Sequence, residues 1–172
     1  MNLNQLNILL ADDDTDDRFF FEEALKDFPI STRLTTVPNG EHLMHLLITE
    51  TNQLPDVIFL DLNMPRKNGF ECLSELKLNK KLKEIPVIIY SKFYHKKIAD
   101  LLYLNGATYY ISKPSEISQL KKVVQQLITL IAQGNILQPA QEKFVLAADE
   151  KNYQEYLWFK NSFTIPFAEN MN

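Results

Sequence analysis

Four short and mostly apolar segments of this chain each stop at a residue whose side chain can do chemistry. These segments, with the residue that follows each, are 8–11 before Asp12, 57–60 before Asp61, 87–90 before Ser91 and 108–112 before Lys113. Their apolar residues are continuous rather than alternating, as is typical of strands that are buried on both faces of a parallel sheet. Because open parallel sheets bind ligands outside the carboxyl ends of their strands, the four polar residues predict one functional edge.

Segments with the apolar spacing of a helix lie between these strands. The first contains Phe19, Phe20, Glu23, Ala24 and Phe28, and Pro29 ends it; later ones start near Glu41, Phe70, Ile98 and Ile117. A weaker strand, residues 33–37, precedes the turn signal Asn39-Gly40. The order is a strand followed by a helix, five times over. It predicts an α/β fold, a doubly wound five-stranded parallel sheet with helices on both faces.

The length of 172 residues indicates one ordinary domain with an appendage. The fifth helix ends near Gln133, and Gly134-Asn135 and Pro139 mark a boundary. We therefore predict a domain over residues 1–133 and a C-terminal extension over residues 134–172.

Composition narrows the classes of function. A net charge of −4 argues weakly against nucleic-acid binding, and the single cysteine, Cys72, leaves no internal disulfide. No basic leader precedes a long apolar stretch, and no apolar run approaches the roughly 20 residues that span a bilayer. The expectation is a cytoplasmic protein that binds neither membrane nor nucleic acid.

The predicted edge gathers three carboxylates, Asp12, Asp13 and Asp61. Two carboxylates about 4 Å apart repel by about 4 kcal/mol at an effective dielectric constant near 20, so such a cluster needs a raised pKa or a cation. All-oxygen ligation suits Mg²⁺, and a carboxylate can attack phosphorus to form an aspartyl phosphate. Lys113 and the Ser91 hydroxyl would contact the phosphoryl oxygens, and positioning of this kind is most of phosphoryl-transfer catalysis.

Each of these residues also has a plainer interpretation. The acidic run 12–17 could cap a helix and favour its dipole, and Asp61 could simply end a strand. Ser91 could be any buried hydroxyl, and Lys113 a solvated charge. The chain order of all four is what favours a common site.

Residues 6 to about 132 resemble the receiver domain of two-component response regulators. The resemblance is carried by the acidic run at 12–14, by Asp61 with Pro65 four residues later, by Asn68-Gly69, by 85–91 ending at Ser91, and by Lys113-Pro114. It implies a flavodoxin-like strand order of 2-1-3-4-5.

The resemblance also implies the metal and acceptor residues. Asp61 matches the phosphoacceptor. Asp13 and Asp61 match direct Mg²⁺ ligands, Asp12 matches a ligand that acts through water, and Asn63 matches the position whose backbone carbonyl completes the metal shell.

The same resemblance implies a switch. Ser91 matches the switch hydroxyl, Tyr110 the aromatic residue that moves inward with it, and Lys113 the lysine that clamps the phosphoryl group. The Lys113–Pro114 bond matches one that is usually cis.

Two residues depart from the family pattern. Lys92 follows the switch hydroxyl, where a small residue is usual, and could add a phosphate contact or hinder access. Phe93 lies where the side chain influences hydrolysis of the acyl phosphate, so we predict slower entry of water and a longer-lived phosphorylated state.

The expected function is that of a response regulator that accepts a phosphoryl group on Asp61 from a histidine kinase or phosphotransfer protein. It would assist its own phosphorylation and dephosphorylation without being an enzyme, and it would signal through a protein–protein surface to an unknown downstream protein. One alternative is a receiver-like module that binds partners without phosphorylation. Another is a Mg²⁺-dependent aspartyl phosphohydrolase of the haloacid dehalogenase type using Asp12 and Asp14, although position 16 is Asp rather than the expected Thr.

The extension, residues 134–172, is acidic and rich in aromatic residues, with three lysines against five carboxylates. It is too short for a second core, and it does not resemble a DNA-binding domain. Tyr153, Tyr156, Leu157 and Lys160 fit one helix face. Either the extension packs on its own receiver domain, or it forms a surface for a partner or a homodimer.

Overall fold

The fold alternates strands and helices along the chain, in a computed structural model that describes residues 5–49 and 53–147. The strands are β1 (Leu6–Ala11), β2 (Thr32–Val37), β3 (Val57–Leu60), β4 (Val87–Ser91), β5 (Tyr109–Ser112) and β6 (Val145–Ala147), and the helices are α1 (Thr15–Leu25), α2 (Gly40–Thr49), α3 (Gly69–Leu78), α4 (Lys96–Leu104) and α5 (Ile117–Ala132).

All strands are parallel, and they form one sheet in the order β2-β1-β3-β4-β5-β6. The predicted doubly wound α/β fold and its order 2-1-3-4-5 are confirmed. The sheet differs from the prediction in having a sixth strand, which pairs with β5 and comes from the C-terminal extension.

Alternate residues of the strands enter two apolar clusters on opposite faces of the sheet. In β1, Leu9 and Ala11 face the cluster formed with α2, α3 and α4, while Ile8 and Leu10 face the cluster formed with α1 and α5. Each fully buried aliphatic side chain of this kind contributes about 1.5–3 kcal/mol. Burial on both faces is why these strands are apolar throughout, and it fixes the edge at which they end.

The helix α1 turns a different face inward from the one that its spacing predicts. Phe21 and Ala24 are buried, whereas Phe19 and Phe20 are 56% and 47% exposed. The helix ends at Leu25, and Asp27 takes a positive φ of 63°, so Phe28 lies beyond it.

The part of the extension that the structure describes packs on the α/β domain that precedes it. Phe144 is buried in the cluster with α2, α3 and α4. The predicted helix face of Tyr153, Tyr156, Leu157 and Lys160 lies outside the described residues, so it and the partner surface stay predictions, as does the division at residue 133.

The described residues bear on two expectations from composition, the membrane spans and the single cysteine. No helix among them is both long and apolar enough to cross a membrane. Cys72 is a buried free thiol, and burial raises its pKa to about 12. It therefore packs as an apolar residue.

Candidate functional site

The four residues that stop the apolar segments lie together at the carboxyl edge of the sheet. The backbone N–H of Asp61 donates to the Ala11 carbonyl at 2.9 Å, which aligns the ends of β1 and β3. The N–H of Lys113 donates to the Ser91 carbonyl at 2.9 Å, which aligns β4 and β5. Strand register thus brings one acidic pair, a hydroxyl and an ammonium to a single place.

The carboxylates form a group suited to a metal ion. Asp12, Asp13 and Asp61 each offer an oxygen, and these oxygens lie within 4.8 Å of one another. Burial raises the pKa of Asp12 to about 6 although Lys113 opposes the shift, and burial also raises the pKa of Asp61. Two buried carboxylates that are short of positive charge, beside an exposed third, fit a hard divalent cation that keeps some of its water.

Asn63 lies two residues beyond Asp61, and its side-chain Oδ1 is buried without a hydrogen bond among the described residues. The role that the sequence predicts for Asn63 belongs to its backbone carbonyl, and that role stays a prediction.

Lys113 is the cation of the site. Its Nζ lies 2.8 Å from Asp12 Oδ2 and 3.4 Å from Asp61 Oδ2, and its side chain is 4% exposed. Burial opposes its charge, but Asp61 and Asp12 outweigh that effect and raise the pKa of Lys113. The ammonium therefore stays charged beside the Asp61 carboxylate. The plainer reading of Lys113 as a solvated charge is wrong.

Asp17 is a fourth carboxylate of this site that the sequence analysis missed. It is 9% exposed, and its Oδ2 lies 2.8 Å from Lys113 Nζ and 2.9 Å from Lys92 Nζ. A signal was present, because Asp17 belongs to the acidic run 12–17 and lies in the first turn of α1. The run of acidic residues around it hid which one turns inward.

Lys92 pairs with two carboxylates of the acidic run. Its Nζ pairs with Asp14 Oδ2 at 2.8 Å as well as with Asp17, so among the described contacts it neutralises the rim of the site. Both effects proposed for Lys92, a phosphate contact and hindered access, stay predictions.

The acidic run 12–17 has two interpretations, as a helix cap or as part of a site, and Asp14 is the residue that acts as the cap. It is the N-cap of α1, and its side chain accepts from the N–H groups of Asp16 and Asp17 at 2.9 and 3.3 Å. The hydrogen bond from Lys92, with these backbone donors, lowers the pKa of Asp14 to about 2. Capping is thus performed by Asp14, which leaves Asp12 and Asp13 for the site.

Ser91 and Tyr110 meet at the loop after β4. The Ser91 hydroxyl acts with Lys113 to lower the pKa of Asp61 against the larger effect of burial. The Ser91 Oγ also accepts from the Phe93 N–H at 3.4 Å, and the Tyr110 hydroxyl donates to the Phe93 carbonyl. Phe93 itself is buried in the apolar cluster, and its effect on hydrolysis stays a prediction.

The loop after β3 is held by a close approach. The Leu62 N–H donates to Asp61 Oδ1 at 2.7 Å, and the Gly69 N–H donates to the Leu62 carbonyl at 3.0 Å. A Cβ at Gly69 would lie 2.2 Å from the Asp61 carbonyl oxygen, so only glycine lets α3 begin here. Asn68 caps that helix in a capping box with Glu71.

The expectation of a cis bond before Pro114 is wrong. Every peptide bond that the structure describes is trans, Lys113–Pro114 included. The trans form is also the lower in energy before proline, by about 0.5–1 kcal/mol.

The chain matches known proteins over the domain that carries this site. The response regulator receiver domain family matches residues 8–125. The response regulator Rcp1 of Synechocystis sp. is 33% identical over 122 residues, which cover 69% of this chain and 83% of that relative. The probable C4-dicarboxylate response regulator DctR of Bacillus subtilis is 32% identical over 73% of this chain, but only 54% of that relative is covered.

Two solved structures share the fold closely. The phosphorylated cyanobacterial phytochrome response regulator RcpA has a TM-score of 0.70 at 30% identity, over 76% of this chain and 96% of that one. The Mn²⁺-bound form of Rcp1 has a TM-score of 0.69 at 30% identity, over 78% of this chain and 99% of that one.

Proposed function

Because the chain belongs to the response regulator receiver-domain family, a family of two-component signalling, we propose that it accepts a phosphoryl group on Asp61. The observation that carries the proposal is the position of the Asp61 carboxylate. It is 5% exposed, it lies among the oxygens of Asp12 and Asp13, and its Oδ2 is 3.4 Å from the Lys113 ammonium. The Asp61 carboxylate, an oxygen nucleophile, therefore has the carboxylates of the proposed metal site and the Lys113 ammonium as its neighbours.

Receiver domains hold a divalent metal at their acidic pocket, and for this chain we propose Mg²⁺. The Mn²⁺-bound form of Rcp1 supports a divalent metal at such a pocket. Asp12, Asp13, Asp61 and the Asn63 carbonyl would hold the ion, whose charge would neutralise phosphoryl oxygens. Phosphorus chemistry of this kind needs mainly positioning and charge stabilisation.

The transfer itself uses the chain's own side chains. A carboxylate oxygen of Asp61 forms a bond to phosphorus while the bond from phosphorus to the donor atom breaks, and the leaving donor group keeps that electron pair. Lys113 and the Ser91 hydroxyl then contact the phosphoryl oxygens. The acyl phosphate carries about one more negative charge than the carboxylate it replaces. That added charge biases Ser91 and Tyr110 towards one arrangement of the loop after β4.

The donor is a histidine kinase or a phosphotransfer protein in this proposal. A groove of about 280 Å³ adjoins Lys113 and is lined by Phe20, Tyr90 and Ile117, among others. Phe20, which lines the groove, is 47% exposed, and the next residue towards the N-terminus, Phe19, is 56% exposed. Exposed aromatic residues beside a reactive group favour a protein donor, because aromatics are enriched at protein interfaces.

The two alternatives have less support. A phosphohydrolase would use Asp14 as its acid, but the Asp14 carboxylate caps α1 and pairs with Lys92 at 2.8 Å, so it is already engaged as an anion. A module that binds without phosphorylation would be favoured if Lys92 hindered access to Asp61, but the Lys92 ammonium is paired with Asp14 and Asp17.

The test is incubation with Mg²⁺ and acetyl phosphate, followed by intact mass spectrometry. Wild type and the control Asp16→Asn, which changes an exposed carboxylate of the same acidic run, should each gain a single phosphate adduct. Asp61→Asn should gain none. An adduct that persists in Asp61→Asn would refute the acceptor, and the lack of any adduct on wild type would favour the binding-only alternative.

A further inference from the structure

A segment that lies beyond residue 125, where the family match ends, contacts α4 and β5. We call residues 138–147 the strap. The Gln138 side-chain amide donates to the carbonyls of Tyr103 and Ala107 at 2.7 and 2.8 Å. The Tyr103 hydroxyl donates in return to the Pro139 carbonyl at 3.0 Å. The Tyr103 carbonyl at the end of α4 also accepts from the Gly106 N–H at 3.0 Å, so Gln138 adds a second partner there and joins it to Ala107, beyond the helix.

A second polar contact holds the middle of the strap. The Gln141 side-chain amide donates to Asp100 Oδ1 at 2.8 Å, and Asp100 lies on α4. The strap therefore follows α4 over more than one turn instead of touching it at a single point.

The apolar anchor of the strap is Phe144, which is 1% exposed. Its ring lies edge-on to two aromatic rings, with centroids 5.3 Å from Tyr103 and 6.3 Å from Tyr110. The Tyr110 N–H donates to the Phe144 carbonyl at 3.0 Å, so backbone and ring both join the strap to β5.

Tyr110 also reaches the acidic site. Its side chain is fully buried, and its hydroxyl donates to the Phe93 carbonyl in the loop that follows Ser91. One residue thus contacts the strap at its backbone and ring, and the loop beside the acceptor at its hydroxyl.

The neighbours of the Tyr110 ring indicate whether a docked strap favours or opposes the contact of Tyr110 with the loop after Ser91. Phe144 and Tyr94 both lie edge-on to it, with centroids 6.3 and 5.6 Å away. A docked Phe144 is thus one of the two aromatic contacts that limit movement of the fully buried Tyr110 ring. A docked strap therefore holds the Tyr110 hydroxyl on the loop after Ser91.

We infer that the strap is a regulatory segment, whose docking on α4 and β5 favours phosphorylation of Asp61 through Tyr110. The inference rests on the proposed function. Because coupling between two sites is reciprocal, an occupied acidic site must also hold the strap more firmly. The strap then responds to occupation of the acidic site, and its docking also strengthens binding of the phosphoryl group or its mimic there.

The first test measures the affinity for beryllofluoride, a mimic of the phosphoryl group, in the presence of Mg²⁺ and with the full chain. Phe144→Ala should bind it about fivefold more weakly or worse, the lower end of typical couplings between sites. Gln138→Ala should weaken binding in the same direction by a smaller factor. Leu137→Ala is the control, because Leu137 is 78% exposed and precedes the strap. Equal affinities across all four proteins would overturn the inference.

The second test uses wild type alone, so it does not depend on whether Phe144→Ala folds. Hydrogen exchange of the strap amides is followed with Mg²⁺, before and after addition of beryllofluoride. The inference requires slower exchange in the strap when the mimic is bound. A strap with a merely structural role would exchange at the same rate in both conditions, while amides near Asp61 slow.

Failure of the inference and failure of the proposed function give different results. Wild type that takes up no beryllofluoride would refute the proposed acceptor, and the inference with it. Wild type that binds the mimic, with no response in the strap and no loss in Phe144→Ala, would refute the strap alone.

Discussion

Replacement of Lys113 by methionine removes the ammonium of the acidic site and keeps most of the apolar stem. That ammonium lies 2.8 Å from Asp12, 2.8 Å from Asp17 and 3.4 Å from Asp61. It also lies 5.0 Å from the centre of the Tyr90 ring. The variant therefore leaves three largely buried carboxylates without their shared cation.

The expected loss of stability follows from that geometry. Removal of one partner from a buried ion pair typically costs about 3–5 kcal/mol, because the remaining charge is left uncompensated. A domain of this size has a free energy of unfolding of about 5–15 kcal/mol, so the loss is a large fraction of the total. A metal that binds only the native state stabilises it by about 2.7 kcal/mol at a hundred times its Kd. Since the variant site is more negative, Mg²⁺ should stabilise Lys113→Met more than wild type.

The assay is urea unfolding at pH 7, with EDTA and with Mg²⁺. The control is Lys121→Met, because Lys121 Nζ is 3.8 Å from the exposed Asp27 and such surface pairs contribute at most about 1 kcal/mol. Lys113→Met should lose about 3–5 kcal/mol in EDTA and regain part of it in Mg²⁺. If Lys113→Met lost no more stability than Lys121→Met, or if Mg²⁺ stabilised Lys113→Met and wild type equally, Lys113 would not be the cation that neutralises these carboxylates.

Three further predictions concern the same region. The native pKa of Asp12, about 6, exceeds its usual 3.8, so in metal-free buffer its contribution to stability is present near pH 4 and is lost as the pH rises to about 6. That contribution to the free energy of unfolding is about 3 kcal/mol, and Asp12→Asn should abolish it. The measurement is denaturation of both proteins across this pH range, and an equal change of stability with pH in the two would contradict the prediction. Phe20→Ala should slow phosphotransfer from a phosphorylated histidine phosphotransfer protein about tenfold, as at an interface hot spot, and leave acetyl phosphate kinetics unchanged. The exposed Leu104→Ala is its control, and equal slowing with both donors would count against a docking role. Phe93→Ala should speed loss of the phosphoryl group, and an unchanged rate of dephosphorylation would refute the shielding effect.

The strands and the acidic cluster were predictable because their signals are local. A strand buried on both faces must be apolar throughout, and its polar stop must lie at the edge of the sheet. Asp12 and Asp61 could be located in this way from the sequence alone.

The inward face of α1 was not predictable from spacing. Phe19, Phe20 and Phe21 are consecutive, so an apolar residue is present at several angles around the helix, and packing on the sheet selects Phe21. For the same reason the acidic run did not reveal which carboxylate turns inward. Asp14 and Asp17 are three residues apart, but one caps the helix and the other meets Lys113.

The sixth strand was missed because it depends on contacts between distant parts of the chain. Val145–Ala147 is too short to give a periodic signal, and Phe144 becomes buried only where α4 and β5 provide Tyr103 and Tyr110. Aromatic content indicated that the extension packs somewhere, but composition carries no information about the surface it chooses.

Reductive trapping of the acyl phosphate shows whether Asp61 is the residue that accepts the phosphoryl group. Borohydride reduces an aspartyl phosphate to the alcohol, which marks the phosphorylated carboxyl permanently, and peptide mass spectrometry then locates the mark. After incubation with Mg²⁺ and acetyl phosphate, the account predicts that the mark lies at Asp61 alone. A mark at Asp12 or Asp13, or a protein that takes up phosphate and carries no mark at Asp61, would contradict it.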